Sequence, residues 1–189
     1  MGNFKHLPCY KGWCVILCLL IPMTVMADNF SIVQANTRLT NHLYTLSAKI
    51  QYPLSDESIK ALHNGIALTL VLSINVQRKR WYWWNESIAD IQQRYQIKYQ
   101  LLTETYQLMY LNTEITRDFN SLSLLLETLG NIKNLPLLDE KFIENDEKYR
   151  VNLYAKLDIE SLPPSLRPLA YISSDWRLNS GDYQCLLEK

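Results

Sequence analysis

Ile66-Ala67-Leu68-Thr69-Leu70-Val71-Leu72-Ser73-Ile74-Asn75-Val76-Gln77 is the stretch whose reading decides the fold. Ile66, Leu68, Leu70, Leu72, Ile74 and Val76 recur at every second position, interleaved mostly with Thr69, Ser73, Asn75 and Gln77. Successive side chains of a strand point to opposite faces, so this pattern specifies a strand with one face in a core and the other toward water. The same alternation returns at Tyr44, Leu46, Ala48, Ile50 and Tyr52, and at Ile91, Tyr95, Ile97, Tyr99 and Leu101. It appears again at Tyr149, Val151, Leu153, Ala155, Leu157 and Ile159, with Arg150, Asn152, Tyr154, Lys156 and Asp158 between them. Fainter strand patterns lie over 29–39, over 106–111 and from Trp176 to the C-terminus. Leu70, Leu72, Ile74, Ile97, Tyr99, Val151, Leu153 and Leu157 are the expected interior.

Two segments switch to helical spacing. Ser55 is placed to cap a helix, Asp56 and Glu57 occupy its first turn where the helix dipole favours acids, Leu54 can pack on Ile59, and Asn64-Gly65 ends it. A second helix is expected over about 121–129, with Leu122, Leu125, Leu126 and Leu129 on one face and Gly130 at its end. Two short helices cannot cover so many half-apolar strands, so the sheets must cover each other. The predicted fold is mainly β, an antiparallel sandwich, immunoglobulin-like or similar, with two short helices. Pro163, Pro164 and Pro168 are expected at an edge or in a loop across one mouth of the sandwich.

Upstream of the domain, Lys5 and Lys11 precede the apolar run Trp13 to Ile21, which Pro22 interrupts. A membrane-spanning helix needs about 20 apolar residues, and this run falls short of that. Val25-Met26-Ala27 has the small-residue pattern of a signal-peptidase site, so residues 1–27 read as a signal peptide and 28–189 as one β-rich domain. An uncleaved anchor facing the periplasm is the alternative, and lipid attachment at Cys14 or Cys18 is disfavoured by the large residues Trp13 and Leu17 before them. The expected location is the periplasm.

Removing Lys5 and Lys11 from 19 basic and 19 acidic residues leaves 17 against 19, a balance that argues against nucleic acid as a partner. Three of the four cysteines lie in the leader, so Cys185 has no intramolecular partner even in an oxidising compartment and reads as a small apolar strand residue. His42 and His63 have no second histidine at metal-ligand spacing. There is no nucleophile elbow and no glycine-rich phosphate loop in a chain with five glycines. The acids at Asp139-Glu140 and Glu144-Asn145-Asp146-Glu147 lack the spacing and turn glycine of a calcium loop. No cofactor and no metal are expected.

One constellation stands out: Arg78-Lys79-Arg80-Trp81-Tyr82-Trp83-Trp84, directly after the strongest strand. Arg78, Arg80, Trp81, Tyr82, Trp83 and Trp84 form the candidate binding patch, since such a mixture can stack on sugars, hold a planar ligand or sit at lipid headgroups. The competing reading makes the rings core or edge shielding, with the cations stacked across them. Continued alternation would send Arg78 and Arg80 inward, so the strand is expected to end, bulge or leave the sheet near Gln77.

The chain also resembles the domain of unknown function 4390 (DUF4390) family of exported proteins of Gram-negative bacteria. The likeness rests on Leu62 to Leu70, the run Arg78 to Trp84 leading to Glu86, Gln93-Arg94-Tyr95, Leu135 to Asp139, Leu157-Asp158-Ile159, Arg167 to Tyr171, and Asp175 to Leu178. It implies export and a single domain, and it carries no activity or catalytic residue to transfer. The expected function is a non-catalytic envelope binding module whose partner is a protein, a glycan or a lipid headgroup. The alternative is a periplasmic hydrolase or ligand-processing enzyme using Asp139, Asp158, Asp175 or Arg167. Mass spectrometry of the exported protein should find Asp28 at the mature N-terminus; residues 1–27 retained in a membrane fraction would mean an anchor instead.

Overall fold

The computed structural model describes residues 29–80, 85–144 and 147–188. Among the described residues nine strands make two antiparallel sheets. The smaller holds β1 (Ser31–Thr40), β2 (Leu43–Gln51) and β7 (Asn131–Asp139), in the order β1-β2-β7. The larger holds β3 (Leu68–Arg78), β4 (Glu86–Gln100), β5 (Thr105–Tyr110), β6 (Ile115–Phe119), β8 (Tyr149–Leu157) and β9 (Tyr183–Leu186), in the order β6-β5-β4-β3-β8-β9. The inner faces share one core in a sandwich-like arrangement. Its strand order is its own: β3 to β6 form a meander, where an immunoglobulin domain uses Greek-key connections.

The deciding stretch is the central strand. β3 pairs with β4 from Leu68 to Arg78 and with β8 from Leu70 to Arg78. Leu68, Leu70, Leu72, Ile74 and Val76 are completely buried, as are Ile97, Val151 and Leu153, and Leu157 is nearly so. Tyr99 is the exception in the expected interior: it lies half-buried at the rim, in edge contact with His63. On the smaller sheet Tyr44, Leu46, Ala48 and Ile50 of β2 face the same core.

Both expected helices are present with their caps. Ser55 accepts from the Ser58 backbone N–H at 3.2 Å to start α1 (Asp56–His63), and Gly65 leaves it at φ +82°. Ser121 accepts from Leu124 N–H at 3.3 Å to start α2 (Leu122–Gly130), which buries Leu125 and Leu129. Gly130 belongs to the last turn of α2. A Cβ there would lie 2.0 Å from the Ile50 carbonyl oxygen, so only glycine lets α2 approach β2 this closely.

Three expectations need correction. A third helix, α3 (Arg167–Ile172), follows the prolines, with Pro168 in its first turn, where a missing N–H costs nothing. The segment after Trp176 is strand only over β9; Trp176 itself ends a 3-10 turn (Ser174–Trp176) and is buried. Two strands, β6 and β7, carry no alternation in the sequence. β6 is an edge strand whose residues are exposed except for half-buried Phe119. β7 has Ile132, Leu135 and Leu138 at every third position, with Leu137 also buried beside the last, and reaches the core through two irregularities against β2.

Two measurements check this packing. Leu72→Ala or Leu153→Ala should cost about 2–5 kcal/mol in chemical unfolding, the range for deleting a fully buried leucine. Gly130→Ala should cost about 1–3 kcal/mol by overpacking, although alanine is the better helix former.

Candidate functional site

The patch picked out by the sequence sits where β3 ends. Val76 pairs with Ala89 and Gln77 with Ser87, so Ile88 is an extra residue of β4 and the ladder is irregular at the expected point. β3 nevertheless continues to Arg78, which pairs with Glu86 on one side and Tyr149 on the other. Arg78 thus stays in the sheet, with its side chain only 14% exposed. Carboxylates from two elements make this possible.

The Arg78 guanidinium donates to Glu86 through Nε, at 3.0 Å, and through Nη2, and to Glu144 Oε1 through Nη1 at 2.6 Å. Arg80 Nη2 donates to the same Glu86 oxygen at 2.5 Å. Lys79 N–H bonds to the Lys148 carbonyl at 2.9 Å, tying the departing chain to the segment that enters β8. The Arg78 hydrogen bonds hold the Glu86 carboxyl below the usual glutamate range, and the carboxylates push the Arg78 pKa up. Both arginines of the candidate patch are therefore engaged by carboxylates of the domain itself. Trp81, Tyr82, Trp83 and Trp84 lie outside the described residues, in the connection from β3 to β4.

The groups considered for catalysis are used locally. Asp139 accepts from the Lys141 N–H at 3.0 Å, which caps a 3-10 turn (Glu140–Phe142) and holds its carboxyl low. Asp158 accepts from Arg94 Nη2 at 2.7 Å, an ion pair that reaches from β4 to the end of β8. Asp175 accepts from Ser173 Oγ at 3.1 Å, while its carbonyl accepts from Ser55 Oγ at 2.7 Å. Arg167 Nε donates to the Leu162 carbonyl at 2.8 Å. Each of these belongs to a turn, a strand end or, for Arg167, the start of α3.

His42 is exposed, with Nδ1 2.9 Å from Glu140 Oε2. His63, at the end of α1, has its Nε2 2.8 Å from the Tyr106 hydroxyl and its ring packed edge-on to Tyr99. Cys185 lies in β9 opposite Val151, and burial pushes its thiol up to about 11, so it is a weak nucleophile at neutral pH. Among the described residues no group of three or more His, Cys, Asp or Glu side chains is arranged to hold a metal ion. Asn145 and Asp146 of the acidic stretch lie outside the described residues. None of the described helices is long and apolar enough to cross a membrane.

A feature the sequence did not single out is a line of clefts on and beside the outer face of the smaller sheet. The largest, about 700 Å³, lies between the end of β2 and α2 and is lined by Asn29, Lys49, Gln51, Leu126, Glu127 and Asn131 among others. Lys49 and Asn131 also line a second cleft, of about 260 Å³, with Gln34, Asn36, Ser47 and Lys133. Asn36 and Ser47 in turn line a third, of about 490 Å³, with Thr37, Arg38, Asn134 and Glu188. The three are neighbours, each sharing two or more lining residues with the next. The residues shared between clefts come from all three strands of the sheet, so only cross-strand register reveals the set: Gln34 opposite Lys49 opposite Asn131, and Asn36 opposite Ser47.

Fold and surface together define a two-sheet antiparallel domain with open polar faces, a hairpin braced by arginines, and no shared constellation of the expected catalytic groups. The chain belongs to the DUF4390 family, a domain of unknown function, whose model matches residues 27–185. No curated protein and no solved structure matches it significantly.

The Arg78–Glu86 pair makes a prediction with a definite sign. A glutamate whose folded pKa is depressed adds stability above its unfolded pKa and loses it as pH falls through the lower, folded value. In an NMR titration the Glu86 carboxyl should therefore titrate below an ordinary glutamate, and Arg78→Met should return it upward. In Glu86→Gln this part of the acid-side loss of stability should be absent.

Proposed function

We propose that this is a non-catalytic binding module of the bacterial cell envelope, exported to the periplasm by its leader, that meets its partner through the connection from β3 to β4. The observation that carries this reading is the engagement of Arg78 and Arg80 by Glu86 and Glu144 at the base of that hairpin. With two of its three cations neutralised, the connection offers the aromatic chemistry of Trp81, Tyr82, Trp83 and Trp84 more than positive charge. Such rings suit a protein surface, sugar rings or the headgroup layer of a membrane. The braced base fixes where the connection leaves the sheet, which lowers the ordering cost of binding.

Two further observations support the reading. The family match starts at residue 27, at the expected junction of leader and domain. The groups available to a hydrolase, Asp139, Asp158, Asp175 and Arg167, are each occupied in a separate local contact.

Crosslinking in the native envelope tests this. Trp81→Ala or Trp83→Ala should leave the thermal midpoint nearly unchanged while abolishing partner recovery. If the rings belong to the core, both substitutions should instead cost about 3–5 kcal/mol, with no partner lost from the still-folded protein.

A further inference from the structure

We propose that the outer face of the smaller sheet is a binding groove for an acidic polysaccharide, a sugar chain bearing carboxylates. This goes beyond the hairpin contact and uses a different surface. Three facts carry it: the adjacency of the clefts, the cations of the three strands that no carboxylate pairs among the described residues, and the chemistry of the groups between them.

The groove follows β2. From Thr45 to Gln51 the strand advances roughly 20 Å at about 3.3 Å per residue, long enough for several sugar units. The charges on the three strands themselves are mostly cationic. Arg38 is the charged residue of β1 and Lys49 that of β2; β7 has Lys133 and, at its far end, Asp139, which is spent capping the 3-10 turn. Among the described residues no carboxylate forms an ion pair with Arg38, Lys49 or Lys133. The acids Glu127 and Glu188 line the clefts at opposite ends of the path. On the larger sheet the signs are mixed within single strands, as with Glu86, Asp90, Arg94 and Lys98 on β4.

Between the cations stand amides and hydroxyls: Gln34, Asn36, Ser47, Asn131 and Asn134. Each amide offers both donors and acceptors, which matches sugar hydroxyls, while lysine and arginine match the carboxylates. The two smaller clefts have no aromatic lining residue, so they give nucleobases no stacking platform. A flat anionic membrane would meet the rim rather than the groove floor. A polymer that carries charge at intervals and hydroxyls between them matches the cations and the amides and hydroxyls that stand between them.

The test measures binding of polygalacturonate oligomers to the full chain by isothermal titration calorimetry. Amylose oligomers, polyaspartate and vesicles of phosphatidylglycerol serve as comparisons. Polygalacturonate should bind, weaken with rising salt, and lose at least tenfold in affinity in the triple variant Arg38→Gln, Lys49→Gln, Lys133→Gln. These residues are exposed, so the variant should melt as the parent does. Lys98→Gln with Lys156→Gln on the other sheet should leave binding unchanged. Equal binding of amylose, tighter binding of polyaspartate or of the vesicles, no binding of polygalacturonate, or an unaffected triple variant would each overturn the proposal. None of these outcomes bears on Trp81 and Trp83, so the hairpin reading stands or falls separately.

Discussion

The structure depends on β3 being paired along both edges while its inner side chains are excluded from water. A central strand satisfies its backbone groups through both neighbours, and here β8 pairs in register from Leu70 to Arg78 while β4 pairs from Leu68 to Arg78 with a single bulge at Ile88. Five completely buried aliphatic residues at alternate positions make a slip by one residue prohibitive, since it would turn Thr69, Ser73 and Asn75 into the core. The strand ends where the alternation reaches an arginine. Arg78 keeps its place in the sheet because Glu86 and Glu144 meet its guanidinium, and the same carboxylates organise the approach to the aromatic connection.

How much of this was legible depended on whether each element carried its own period. β2, β3, β4 and β8 alternate cleanly, and the two helices announce themselves by Ser55 and Ser121 at their caps and Gly65 and Gly130 at their ends. α3 is hidden in the sequence because a proline breaks ladders as readily as it opens a helix, and only the structure puts Pro168 in a first turn. β6 was hidden because an exposed edge strand has no apolar face to display. Even the inward arginine at position 78 was foreseen only as a problem; its solution lay in Glu144, sixty-six positions away, which no local pattern could pair with it.

The groove was out of reach for a related reason. Its cations, Arg38, Lys49 and Lys133, are single charges in three strands, and alone each reads as an ordinary solvated residue. They acquire a common meaning only through the order β1-β2-β7, which joins the first hairpin to a strand some eighty residues later. The hairpin patch is the opposite case, legible because its residues are contiguous, although the two arginines proved to serve the domain's own carboxylates.

β7 shows how the core and that outer face are set by the same few residues. Ile132, Leu135 and Leu138 are three apart, a spacing that a regular strand would divide between its two faces. Ala48 pairs with Ile132, Leu46 with Leu135 and Tyr44 with Leu138, so β7 spends three residues for every two of β2. Each irregularity absorbs one residue and keeps the apolar series facing inward. At the first of them Lys133 and Asn134 both fall opposite Ser47, with Asn134 in the left-handed region at φ +50°, which asparagine tolerates better than most residues. The Asn134 N–H donates to Ser47 Oγ at 3.3 Å, fixing the extra residue in place. Regular one-to-one pairing of the same sequence would turn Leu135 to the face opposite Ile132, so the inward series and the Asn134 contact with Ser47 both depend on this one extra residue.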